Sequence, residues 1–153
     1  MNSLLVIGRI AFVLIFILSG AQKLMDIPGT AALIEPRVAI PELIAPYSAQ
    51  LETATSMKMP SLLAIAAGII EIASALMIAL GFGTRFAAVV LILFTAAATY
   101  YFHAFWNMEG AARTDNMINA LKNLSLIGGL LVLFVLGSWR PVVAGPYDEA
   151  QRL

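Results

Sequence analysis

SLLAIAAGIIEIASALMIALGFGTRFAAVVLILFTAAATYYFHAF, residues 61–105, holds two apolar runs of twenty residues on either side of the five-residue stretch GFGTR (81–85). A helix needs about 20 apolar residues to cross the ~30 Å hydrocarbon core of a bilayer. Each run therefore predicts a transmembrane helix, at 61–80 and 86–105. The glycines of GFGTR permit a tight turn, and so short a connection makes the two helices antiparallel neighbours.

Outward from this hairpin, two more segments are long and apolar enough to span, 4–22 and 118–136. The first is too long for the apolar part of a signal peptide, carries Arg9 within it and is followed by no clear cleavage signal, so it reads as a retained helix. The chain of 153 residues is 61% hydrophobic and 12% charged, with mean hydropathy +0.91. That charged fraction is half the ~25% of a soluble domain, too little to cover a water-facing surface. The expected fold is all-α: an antiparallel bundle of four transmembrane helices forming a single domain, 1–153. Lipid is its first partner.

The formal charge is zero, so nothing points to nucleic acid. With no cysteine and one histidine, the chain has no ligands for an iron–sulfur cluster, a c-type haem or a bis-histidine haem, and no metal is expected. Any electron-transfer role would rely on a bound organic molecule and a redox partner protein.

The connections differ in length. About a dozen polar residues, NMEGAARTDNM among them, join the third and fourth helices, whereas 26–59 forms a long link with Pro28, Pro36, Pro41 and Pro46. Within that link Leu43, Ile44, Tyr47, Leu51 and Ala54 recur at helical spacing, as in a short amphipathic segment lying on the membrane surface; an irregular loop is the alternative. An even number of spans puts both termini on one side. The basic residues divide nearly evenly, with Arg85, Arg140 and Arg152 on the terminal side and Lys23, Arg37, Lys58 and Arg113 on the loop side. We take the termini as cytoplasmic.

Ionisable groups inside a span cost roughly 2.5–3.5 kcal/mol each on insertion scales, so each requires a partner or a purpose. Arg9, Glu71 and Lys122 stand out. Counted from the loop side at ~1.5 Å per residue, Glu71 lies about 15 Å deep, Arg9 about 20 Å, and Lys122 and Asn123 roughly 6–9 Å. Arg9 and Glu71 are thus expected to form an ion pair in the bundle core. That pair would be either a structural latch or the control on a proton-transferring or ligand-anchoring carboxylate. Ala64, Gly68, Glu71 and Ala75 share one stripe of the second span, small residues that allow close approach. On the third, Thr95, Thr99, His103 and Trp106 line up; on the fourth, Asn119, Lys122 and Asn123 fall within one turn. An aromatic girdle explains Trp106, Tyr100 and Tyr101. His103 faces inward with the threonines, where an imidazole can donate to a quinone carbonyl and exchange a proton with it.

FILSGAQKLMD (16–26), AGIIEIASALMIALGFGTRFAA (67–88), FTAAATYYFHAFW (94–106) and LKNLSLIGGLLVL (121–133) resemble the DoxX family of small bacterial membrane proteins. The resemblance implies a four-helix bundle in the cytoplasmic (inner) membrane. It carries over the motif positions Ser19, Lys23, Glu71, Arg85, His103, Trp106, Lys122 and Asn123. Some DoxX-like proteins are associated with thiosulfate:quinone oxidoreductase, others with oxidative or thiol stress and with catechol or quinone handling. Two functions follow as expectations. In one, a quinone-linked oxidoreductase subunit or quinone-binding protein uses Glu71 and His103 for protons, with Arg9, Ser19, Lys23, Thr99, Trp106, Lys122 and Asn123 around the ligand. In the other, a non-catalytic organiser docks partner proteins or a second copy of the chain, and Arg9–Glu71 is its latch.

Overall fold

The computed structural model describes residues 3–137, which form helices joined by turns with no strand among them; Arg140 and Arg152, counted above for orientation, lie outside the described residues. Four long helices correspond to the four expected spans: α1 (Ser3–Met25), α4 (Met59–Leu80), α5 (Thr84–Phe102) and α6 (Gly110–Leu136). Each is long and apolar enough to cross a membrane. Two shorter helices, α2 (Ile27–Ile34) and α3 (Ala45–Thr55), occupy the long link, and a single 3-10 turn, Phe105–Asn107, follows α5.

The boundaries have local causes. Pro60 sits in the first turn of α4, where a missing N–H is tolerated. That helix ends on Gly81, and α5 starts from Gly83; both glycines have positive φ (70° and 58°), which the tight GFGTR turn requires. α6 starts eight residues before the expected 118, because 111–117 contains no helix breaker and its polar side chains lie outside the apolar region. α2 was not expected. Asp26 caps it, accepting from the Gly29 N–H at 2.9 Å, and Pro28 pre-sets its first turn. α3 takes the place of the expected amphipathic segment, with Leu43, Ile44, Tyr47 and Leu51 all exposed along it or just before it, and no residue of α3 buried. That is the arrangement of a helix whose apolar side chains are left for lipid.

Packing runs from α1 to α4, from α4 to α5 and from α5 to α6, while α2 lies on α4. The α1–α4 contact is the tightest. A Cβ on Gly20 would come within 2.8 Å of the Gly68 carbonyl oxygen, and one on Gly68 within 2.9 Å of the Gly20 carbonyl oxygen. Only glycine at both positions lets the two backbones approach this far. The apolar core lies toward the terminal side, built on Val13, Phe16, Ala75, Ile78, Ala87, Leu91 and Leu130.

At that end α1 and α6 are joined by side chains. Phe12 lies where a Cβ on Gly129 would be. The buried Arg9 donates to the Gly137 carbonyl at 2.7 Å and to Thr84 Oγ1 at 3.3 Å, and Arg85 Nε donates to the Phe134 carbonyl at 3.3 Å. Two cations therefore satisfy carbonyls at the C-terminal end of α6, where the helix dipole is negative and intrahelical donors have run out.

Replacing Gly68 by Val should push α1 from α4 and lower stability by about 1–3 kcal/mol, the usual result of overpacking. Gly128→Ala, where an added Cβ meets nothing within 4 Å, should leave the thermal unfolding midpoint in detergent nearly unchanged.

Candidate functional site

The α1–α4 crossing decides which charges meet. From Gly20, Arg9 is eleven residues, or about 16 Å, toward the terminal side; from Gly68, Glu71 is three residues, or about 4.5 Å, the same way. The expected Arg9–Glu71 ion pair is therefore not formed. Counting from the loop-side helix ends put the two at similar depth because it could not include the register of α1 on α4. The latch named in the organiser reading is therefore formed, if at all, by a different cation.

Glu71 is paired instead with Lys23, whose Nζ lies 2.7 Å from Glu71 Oε2. Lys23 also donates to Ser19 Oγ at 2.6 Å and, more weakly, to the Ser19 carbonyl at 3.4 Å. Helical side chains lean toward their own N-terminus, and α1 and α4 run in opposite directions. Lys23 thus leans into the bundle and Glu71 leans to meet it. The lysine could have extended outward to the headgroups, as terminal lysines commonly do. It turns inward because a carboxylate only 3% exposed has no water to solvate it.

Lys23 and Glu71 lie on a cavity of about 1110 Å³ in the loop-side half of the bundle. One wall comes from α1 and α2, the floor from Leu63, Ala67 and Glu71 of α4, and the other wall from α5 and α6. Ser19, Thr95, His103, Lys122 and Asn123 also line it, with Phe94, Tyr101 and Phe102 as an aromatic side. α1 and α6 are bridged near their terminal-side ends by Arg9 and Phe12, and farther along the same two helices form facing sides of the cavity. Gly29, Thr30, Leu33 and Ile34 place α2 at its loop-side end.

The polar groups are held by one another. Thr99 donates to the Thr95 carbonyl at 2.7 Å and accepts from Asn123 Nδ2 at 2.9 Å, tying α5 to α6. His103 is the C-cap of α5, and its Nδ1 is 3.0 Å from Asn116 Oδ1. Asn116 spends its Nδ2 on the Ala112 carbonyl at 2.9 Å. Its carbonyl oxygen therefore faces the imidazole, which assigns the proton to Nδ1 and leaves Nε2 as the acceptor in the neutral ring. Lys122 donates to Asn119 Oδ1 at 3.0 Å and is exposed.

Of the residues singled out in the sequence, Ser19, Lys23, Glu71, His103, Lys122 and Asn123 share the cavity, and Thr99 supports it from behind. Arg9 does not belong there. Trp106 does not either: it is 51% exposed and packs against Tyr100 and Phe105, in the manner of an interfacial aromatic. Thr95, Asn116 and the α2 residues were missed as site components. Thr95 was visible on the His103 stripe, but nothing local in the sequence distinguishes Asn116 from any other polar residue near a helix start.

The DoxX family model matches residues 4–104, which covers α1 to α5. The chain belongs to the DoxX family. It is also similar to the inner membrane protein YphA of Escherichia coli (strain K12), at 40% identity over 134 residues, 88% of this chain and 83% of that protein. No solved structure matches. With four spanning helices, this DoxX protein is a multi-pass bacterial inner-membrane protein.

Lys23→Met would leave the buried Glu71 without its partner in the DoxX bundle, a destabilising condition. Lys23→Met/Glu71→Gln should regain part of the loss, giving a coupling of about 0.5–3 kcal/mol in a double-mutant cycle read from thermal unfolding. Strict additivity of the two single variants would refute the pairing.

Proposed function

We propose that the cavity binds a quinone or a similar small aromatic molecule taken from the bilayer, and that the protein thereby supports a membrane redox or stress-protection system. The observation that carries this reading is the combination of an aromatic wall with polar groups both deep in the bundle and near the interface. Such pockets are mainly apolar with a few placed polar groups, and typically occupy about 300–1000 Å³. The volume here is enough for a ring and part of an apolar tail.

The residues have separable roles in this reading. Glu71, held by Lys23 and Ser19, anchors the deep end and is one proton-exchanging group. His103, with its tautomer set by Asn116, is the second, near the loop-side surface where protons reach water. Lys122 and Asn123 orient the ring from α6. A bound quinone would supply two-electron, two-proton chemistry. The chain has no cysteine, so a redox partner protein would deliver the electrons. The organiser reading would take its latch from Lys23–Glu71 instead and does not call for a cavity.

The test is extraction and mass spectrometry of what co-purifies with the protein in nanodiscs, comparing wild type with Glu71→Gln and His103→Ala. We expect stoichiometric quinone in the wild type and its loss in both variants, each still membrane-inserted by fractionation. Bulk lipid alone in all three would overturn the reading.

A further inference from the structure

The hydroxyl of Thr95 is out of place for a helical threonine. Threonine in a helix ordinarily turns its Oγ1 back to the carbonyl three or four residues earlier, as Thr99 does toward Thr95. Thr95 Oγ1 instead has no hydrogen-bond partner, on a residue that is 4% exposed and lines the cavity. A buried, unpartnered hydroxyl costs stability, and native proteins leave few of them without a reason.

Its level in the bundle is informative. Measured from the GFGTR turn, Glu71 is nine residues down α4 and Thr95 eleven residues along α5, about 14 and 17 Å respectively, less than one helical turn apart. Lys23 Nζ lies 5.9 Å from the ring centre of Phe94, the residue beside Thr95. The free hydroxyl and the Lys23–Glu71 pair therefore share the deep end of the cavity. The charges there cancel at contact distance, while Lys122, whose partner is the neutral Asn119, stands nearer the interface. A charged head brought to the deep end would add an uncompensated charge in a low-dielectric interior.

We propose that Thr95, beside Glu71, is a direct hydrogen-bond partner of the ligand at the deep end, and that this end selects an uncharged head bearing a carbonyl or hydroxyl oxygen over an anionic one. The proposal rests on the ligand-binding reading above and specifies its chemistry. A hydroxyl both donates and accepts. Thr95 can donate to the carbonyl of a quinone and accept from the hydroxyl of the corresponding quinol, so both redox states are held with affinities within a few-fold of each other.

Binding to the full chain in nanodiscs would be measured with four probes of matched tail: a decyl-substituted benzoquinone, its quinol, decanol, and decanoate at a pH where it is ionised. The wild type should bind the three neutral probes, and decanoate at least about ten-fold more weakly. Thr95→Val keeps the shape and removes the hydroxyl. It should weaken the neutral probes by about 3- to 10-fold, the loss of one hydrogen bond, and Thr95→Ser should restore them. The ligand-free Thr95→Val protein should unfold at an equal or higher temperature than wild type, because an unsatisfied buried group has been removed. A merely structural hydroxyl would give a lower one.

Quinone binding that is unaffected by Thr95→Val, or decanoate binding as tightly as decanol, would overturn this proposal and leave the quinone reading standing. Binding of decanol alone, with the same dependence on Thr95, would support it and overturn the quinone reading. No binding by any probe would overturn both.

Discussion

The close approach of α1 and α4 at Gly20 and Gly68 is the constraint on which the other contacts depend. Each glycine lies against the other's carbonyl, so a side chain at either position would clash with the opposite backbone at this crossing. The crossing fixes the register of α1 against the rest of the bundle. It brings Lys23 to Glu71 and carries Arg9 to the far end, where it meets the carbonyl of Gly137 and the hydroxyl of Thr84. A shift by one helical turn, about 5.4 Å, would separate Lys23 from Glu71 and Arg9 from the Gly137 carbonyl. The packing of two residues that lack side chains thus determines the electrostatics of the interior.

The bundle consequently has two polar centres with different character. At the terminal side, cations meet backbone carbonyls and the surroundings are closely packed by Val13, Ile78, Ala88 and Leu91, all fully buried. At the loop side, polar side chains line a cavity, and one of them, Thr95, is left without a partner. α2 is placed at the end of that cavity by an Asp26 cap that ends α1 and starts a new helix one residue later. An unpartnered hydroxyl on the wall of a cavity is the physical basis for locating a binding site at the loop side.

Much of this was legible from the chain. The four spans were evident because apolar runs of bilayer length have no soluble alternative, and the GFGTR turn could only join antiparallel neighbours. The gathering of Ser19, Glu71, His103, Lys122 and Asn123 was legible in outline, since polar groups within a span are costly and must face inward. The unexpected helix α2 hid behind Pro28, which reads as a breaker but sits in a first turn, where it is tolerated. The early start of α6 is masked by polar residues that suggest a loop, although nothing in them stops a helix.

The sequence by itself determined the bilayer as solvent, the number of spans and which residues could not face lipid, because those follow from hydrophobicity and length along one helix at a time. Only the tertiary structure decided that Glu71 pairs with Lys23 rather than Arg9, that Trp106 stays outside the cavity and that Thr95 is left with a free hydroxyl. These depend on the axial register and rotation of one helix against another. That register is set by steric contacts between residues far apart in the chain, such as Gly20 with Gly68 and Phe12 with Gly129, and no property of either segment alone encodes it.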